Sequence, residues 1–236
     1  MKSIDIYGDG IGKVELVDYM GSDLTVVNSA RVSFGKHKEE LDEKDEKLID
    51  YLIRHKHTSV LEHNLITFRF KVPLFVRSQH HRHRTWSYNE ISRRYTDFNI
   101  EFYEPKEYRL QHASNRQAST NETFNPKFYN DGFGIEHSAT TIIAGHFKHS
   151  LTLFNKLIEH GVCREQARMV LPQAMYTEYY GTVNLGNLLK FIDLRSHEGA
   201  QWEIQKVAEA CLEIASELYP KTVAAYRKIV DERHSS

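Results

Sequence analysis

The residues best able to do chemistry concentrate in one stretch, Arg82 to Tyr95 (RHRTWSYNEISRRY), where Arg82, His83, Arg84, Arg93 and Arg94 surround a single acid, Glu90. Ser87, Tyr88, Asn89, Ser92 and Tyr95 add hydroxyls and an amide. Guanidinium forks match phosphate and carboxylate oxygens, and Ser, Asn and Glu can read the donor and acceptor edge of a heterocycle. The mixture points to a polyanionic ligand carrying a polar ring; a solvated, arginine-rich surface is the plain alternative. Ser92 has the form of a nucleophile, but no general base stands at a useful spacing, so it reads as a binding group.

Three further groups invite chemistry. HKHTSVLEHN places His55, His57, Glu62 and His63 close together. Imidazole and carboxylate ligate metals, yet no Cys or Asp joins this set, so no metal site is expected. Arg164 and Arg168 in CREQARMVLP share one face of a short amphipathic segment, which fits an anion clamp. Arg195 continues the apolar stripe of Leu188, Phe191 and Ile192. An inward guanidinium is costly without a partner, so Arg195 either meets an acid in a structural salt bridge or serves a ligand.

The elements that would position these groups can be read from periodicity. Ile4 and Ile6, then Val14 and Leu16, alternate on either side of GDGIGK, giving a hairpin; the glycines do not match a dinucleotide loop, because a second strand follows where a helix should start. Ser22 or Asp23 caps one helix running toward Ser33, and Asp42 caps a second with Leu48, Ile49, Leu52 and Ile53 at helical spacing. Ile66, Phe68 and Phe70 mark a half-buried strand, after which Pro73 permits a helix carrying Arg77 and Gln79 toward Arg82. A short strand is expected from Phe98 to Tyr103, and a long polar loop at about 105–137. Ile143, Phe147, Leu151, Phe154 and Ile158 form the stripe of a long helix ending at Gly161. MYTEYYGTVN reads as a strand leading into the helix NLLKFIDLR, and a last helix from Gln201 carries Trp202, Val207, Cys211, Ile214 and Leu218, with RKIVDERHSS fraying behind it.

A chain of 236 residues can bury a substantial core, and one domain, 1–236, is the simplest reading. The formal net charge of −1 argues against binding nucleic acid by bulk electrostatics. Only Cys163 and Cys211 are present, which excludes a disulfide framework. With no apolar signal core and no run long enough to span a bilayer, a cytoplasmic protein is expected.

Arg-His-Arg followed seven residues later by Ser92 resembles the RHR-x7-S signature of the flavin-dependent thymidylate synthases. The resemblance extends through Gln79, His57 to His63, GVCREQARMVLP, TVN and FIDLRSHEGAQWEIQ, leaving out only Gln111 to Gly134. It implies an α+β fold, a mixed and largely antiparallel sheet packed with long helices, in a single domain that forms a homotetramer with sites shared between subunits. The implied reaction is reductive methylation of dUMP to dTMP, with methylenetetrahydrofolate as carbon donor and FAD, reduced by NADPH, as hydride source. The resemblance assigns the nucleotide to His57, Gln79, His80, His81, Arg82, Glu90, Ile91, Ser92, Arg93, Arg94, Tyr95, Arg168 and Arg195. It assigns the flavin to Ser59, Glu62, Arg82, His83, Arg84, Glu90, Asn184, Gly186 and Lys190. Arg195 is the implied catalytic group, contacting the N3 and O4 side of the pyrimidine and favouring its ionised form.

The chain departs from the family pattern at Gly186, where an Arg is common, at Lys190 for Asn, at Gly199 for His and at Arg93 for Gly. Against that pattern, Lys190 is expected to restore, from a different position, the positive charge for the FAD phosphates that Gly186 lacks. Three alternatives stay open: one-carbon transfer to a related pyrimidine nucleotide such as UMP, a nucleic-acid-binding module using arginines and Trp86, and a metal-dependent nucleotide phosphohydrolase built on the histidines.

Overall fold

The computed structural model describes residues 2–96, 99–129 and 135–234. The chain opens with β1 (Ser3–Asp5) and β2 (Lys13–Met20), then α1 (Asp23–Arg31), α2 (Glu43–Arg54), β3 (Leu65–Pro73), α3 (Leu74–His80) and β4 (Ser87–Glu90). Four short strands follow, β5 (Tyr108–Gln111), β6 (Ser119–Phe124), β7 (Lys127–Tyr129) and β8 (Glu136–Ser138). The remainder is α4 (Ala139–Glu159), α5 (Arg164–Ala167), β9 (Tyr176–Asn184), α6 (Leu185–Arg195), α7 (Trp202–Leu218) and α8 (Pro220–His234). This is the α+β class expected. The main sheet has the order β1-β2-β3-β9-β4, with β1 and β2 antiparallel and Ile4 opposite Val14. Among the described residues no helix is long and apolar enough to cross a membrane.

The chain divides into two compact units, each built from several segments. The first comprises Met1–Phe70, His81–Asn89 and Tyr179–Ser236. Its core joins Ile66, Phe68 and Phe70, buried on alternate positions of β3, to Leu185, Leu188 and Phe191 of α6 and to Ile204, Val207, Cys211 and Ile214 of α7. Period-two burial is what a strand with one covered face requires, and the alternation in LITFRF supplies it. α2 begins where expected: the Asp42 carboxylate accepts from the amides of Lys44 and Asp45, satisfying two otherwise open N–H groups. Trp86 is buried against Phe70 and Phe191, with ring centroids 6.0 and 5.4 Å away, so the turn that carries Arg82 and Arg84 is anchored by one aromatic side chain.

The second unit comprises Lys71–His80 and Glu90–Glu178. Phe154, Ala167, Leu171 and Met175 form its buried cluster, and Leu151 and Ile158 of the α4 stripe pack on it. α4 ends one residue before His160 and Gly161, and Gly161 has a φ of 84° that favours glycine.

Three expectations need correction. The stretch read as a loop at about 105–137 contains two antiparallel hairpins among its described residues, β5 with β6 and β7 with β8; residues 130–134 lie outside the description. The strand expected from Phe98 to Tyr103 is reduced to an isolated bridge between Phe102 and Met175, and Phe98 lies outside the described residues. The C-terminal segment does not simply fray: Pro220 opens a separate helix, α8, whose first turn is tied by Asp23. That carboxylate accepts from the amides of Lys221 and Thr222, both at 2.9 Å, and from the Thr222 hydroxyl at 2.6 Å.

Candidate active site

In the second unit the sequence-predicted residues Glu90, Ile91, Ser92, Arg93 and Arg168 line one cavity of about 650 Å³. β4 ends at Glu90 and the chain turns sharply, the amides of Tyr95 and Thr96 both donating to the Ser92 carbonyl at 3.0 and 3.3 Å. Ile91 stays paired to β9 through its amide, 2.9 Å from the Glu178 carbonyl. The backbone around Ser92 is thus fixed on both sides, and its hydroxyl accepts from the Arg94 amide at 3.2 Å. Arg93 is only 8% exposed, with Nη2 reaching the Asn99 carbonyl at 3.5 Å, while Arg94 is exposed and lies 3.7 Å from Glu165. Arg168 is held at its Nε by the Glu165 carbonyl, 3.3 Å away.

Glu90 is the most constrained of this group. Thr177 donates its hydroxyl to Glu90 Oε1 at 2.6 Å, and Arg77 Nε lies 3.2 Å from the same oxygen. Arg77, Thr177 and Met169 line the cavity too, and sequence reasoning did not single them out as site residues. The available signal was Thr177 in MYTEYY: a buried hydroxyl between large aromatics needs a partner. Gln79 is half-buried and His80 buried at the end of α3, and neither is among the cavity-lining residues; Tyr95 is 81% exposed, with the Arg94 guanidinium 5.9 Å from its ring centre.

The first unit carries the other sequence-predicted residues in two groups. One centres on Arg195, which closes α6. Its Nε donates to His83 Nε2 at 3.0 Å. The partner of this half-buried guanidinium is therefore an imidazole and not an acid. His83 must be neutral to accept: burial, and then the Arg195 charge, push its pKa down to about 4. Burial also lowers the pKa of Arg195. The His83 ring stands edge-on to Phe191 with centroids 4.9 Å apart, and its carbonyl accepts from the Tyr88 hydroxyl at 3.2 Å. His81 packs at 4.1 Å on the Tyr88 ring, whose phenol pKa burial raises, so the hydroxyl stays a donor.

The other group surrounds a cavity of about 180 Å³ in which His57, Gly186 and Lys190 meet, together with Lys56, Leu61 and Asp193. Ser59 and Glu62 sit exposed on the adjoining 3-10 turn, Thr58–Leu61 and its cap. A side chain at Gly186 would bring its Cβ within 3.3 Å of the Leu61 Cβ. Asn184 uses its side-chain oxygen to cap α6, accepting from the Asn187 amide at 2.9 Å. Arg82, Arg84 and Lys190 are exposed cations with no ion pair among the described residues. No three His, Cys, Asp or Glu side chains among the described residues are grouped to hold a metal ion.

The chain matches a protein family described as thymidylate synthase complementing protein over residues 15–221. It is 42% identical over 217 residues to a flavin-dependent thymidylate synthase of Thermus thermophilus, covering 92% of this chain and 76% of that one. It is 39% identical over 217 residues to the enzyme of the same name from Thermosipho melanesiensis, covering 92% and 91%. Among solved structures it is similar to a UMP/dUMP methylase, PolB, from Streptomyces cacaoi bound with 5-Br UMP. The TM-score is 0.76 and the identity 32%, over 92% of this chain and 94% of that one. The same methylase bound with 5-Br dUMP matches with a TM-score of 0.76. The family match over residues 15–221 and the 42% identity over 92% of the chain agree: the chain belongs to the flavin-dependent thymidylate synthase family.

Proposed function

We propose that this chain catalyses the reductive methylation of dUMP to dTMP, taking the carbon from methylenetetrahydrofolate and using FAD recharged by NADPH. The observation that carries the reading is the cavity where Glu90, Ser92, Arg93 and Arg168 converge. Two guanidiniums and a hydroxyl are what a nucleotide phosphate requires, and Glu90 adds an acceptor for a ligand donor.

When bound, the flavin supplies the hydride that reduces the transferred carbon to a methyl group. The remaining tasks fall to the chain's own side chains. Arg195 brings a fixed positive charge, and because a neutral imidazole holds its Nε, its Nη groups remain for a pyrimidine carbonyl or the adjoining ring nitrogen. Arg82, Arg84 and Lys190 would neutralise the cofactor phosphates, and Ser59, Glu62 and Asn184 would meet its polar edges. Gln79, His80, His81, Arg94, Tyr95 and His57 complete the nucleotide set by family resemblance.

We further propose a cytoplasmic homotetramer with sites shared between subunits, each chain acting as one catalytic domain. Phe34 and Met169, each 78% exposed, and Val32, 70% exposed, support burial against another copy. Cys163 and Cys211 are both free thiols, which suits a reducing compartment. A second reading is one-carbon transfer to UMP, favoured by the similarity to a methylase seen with both 5-Br UMP and 5-Br dUMP.

Absorption spectroscopy tests the proposal. The purified protein loaded with FAD is expected to bleach on anaerobic addition of NADPH, and faster with dUMP present. A protein that cannot be loaded with FAD, or bleaching indifferent to any pyrimidine nucleotide, would overturn it.

A further inference from the structure

Three residues of the second unit meet at one carboxylate: Glu90 at the end of β4, Arg77 on α3 and Thr177 near the start of β9. Thr177 Oγ1 and Arg77 Nε approach the same oxygen, Oε1, at 2.6 and 3.2 Å. Glu90 Oε2 makes no hydrogen bond among the described residues. We propose that Arg77 and Thr177 are positioning residues: they clamp Oε1 so that Oε2 is presented to the bound pyrimidine nucleotide as a fixed hydrogen-bond acceptor.

A bland reading makes this a structural ion pair. A partly exposed pair adds little stability, because solvent screens the charges and two long side chains must be ordered. Here the ordering has a use. Glutamate loses more rotamer freedom than most side chains when it is fixed, and fixing it in the free protein removes that cost from ligand binding. All three groups line the cavity that also holds Ser92, Arg93 and Arg168. The division of labour is also chemical: an ionised carboxylate only accepts, so with one oxygen occupied by a hydroxyl and a guanidinium the other selects a donor on the ligand.

The inference rests on the nucleotide reading of this cavity, and the test separates the two. dUMP binding to the FAD-loaded protein is measured by calorimetry for wild type, Thr177→Val, Thr177→Ser, Arg77→Gln, Glu90→Ala and the Glu90→Ala/Thr177→Val pair. Loss of a hydrogen bond to a charged group corresponds to roughly a 10- to 100-fold change in an equilibrium. Thr177→Val, which removes that hydrogen bond, is expected to weaken dUMP binding by about 10-fold or more, Arg77→Gln, which removes an ion pair without a hydrogen bond, by less, and Thr177→Ser to restore it to within about 3-fold. In the Glu90→Ala background Thr177→Val should cost nothing further, because a residue acting through Glu90 has nothing left to position. Full additivity in that cycle, or wild-type affinity in Thr177→Val, would overturn the positioning role. Should Arg77→Gln lose its cooperative thermal transition, the Thr177 variants decide alone. Wild-type protein that binds no dUMP would overturn the nucleotide reading, and the positioning role with it.

Discussion

Replacing His83 by glutamine isolates the electrostatics of the Arg195 pair. In the folded chain the imidazole accepts from Arg195 Nε at 3.0 Å and titrates at about 4, against 6.5 for an ordinary histidine. Its folded pKa lies below its unfolded one, so between these values the unfolded chain binds more protons and stability rises with pH. The contribution is therefore complete above about pH 6.5 and is lost as the pH falls toward 4. A gap of that width corresponds to at most about 3 kcal/mol, and because His83 is only half-buried, solvent screening reduces it to roughly 1–2 kcal/mol. Glutamine can accept the same Arg195 N–H through its carbonyl but does not titrate. Melting curves between pH 7.5 and 4.5 should show wild type losing about 3–6 °C more than His83→Gln. Other titrating groups act equally in both proteins and cancel. Parallel curves, or an NMR titration that places His83 near or above 6.5, would refute the reasoning.

Further outcomes follow from other contacts. Asp45 is buried, which raises its pKa, but bonds from Lys38 and from Arg31 at 2.5 Å outweigh burial and hold the carboxyl well below the usual range. Asp45→Asn should destabilise the protein by roughly 3 kcal/mol at pH 7 in urea unfolding, and by less as the pH drops below about 4, where the wild-type carboxylate loses its own advantage. A Cβ at Gly181 would lie 2.9 Å from Phe70 Cε2 and 3.2 Å from Trp86 Cε3, so Gly181→Ala should cost about 1–3 kcal/mol and, by moving Trp86, loosen the turn that bears Arg82 and Arg84. Thiol titration of the native protein should find only the exposed Cys163 reacting quickly; burial raises the pKa of Cys211, which should react on unfolding.

Much of the scaffold is legible in the sequence because its signals are local. The alternation at Ile66, Phe68 and Phe70, the Asp42 cap and the stripe from Ile143 to Ile158 each encode an element within a few residues, and β3, α2 and α4 stand there. α8 was lost because what fixes it is distant: the Asp23 carboxylate that holds its first turn comes from the start of α1, 199 residues away from Thr222. The two hairpins were lost for another reason. Five of the six residues of β6 are exposed, so no apolar alternation marks the strand, and backbone pairing alone defines it.

The candidate site divides in the same way. RHR-x7-S and the Arg164/Arg168 pair point to an anion site through residue type, and the structure brings Glu90, Ser92, Arg93 and Arg168 to one cavity whose lining does not include Arg164. The spacing says nothing of Arg77 and Thr177, because their link to Glu90 joins a helix, a strand end and a second strand in space. The inward Arg195 was readable from the α6 stripe, whereas the identity of its partner was not. Its Nε meets an imidazole 112 positions away in sequence, an acceptor that leaves the guanidinium charge unneutralised.

The most direct measurement is chromatographic detection of product after incubating the protein with FAD, NADPH and methylenetetrahydrofolate, with dUMP and UMP in parallel. dTMP should form from dUMP, and its formation should cease when the folate, the flavin or NADPH is withheld. No dTMP from a protein that binds both FAD and dUMP would contradict the account, and a methylated product from UMP alone would reassign the substrate.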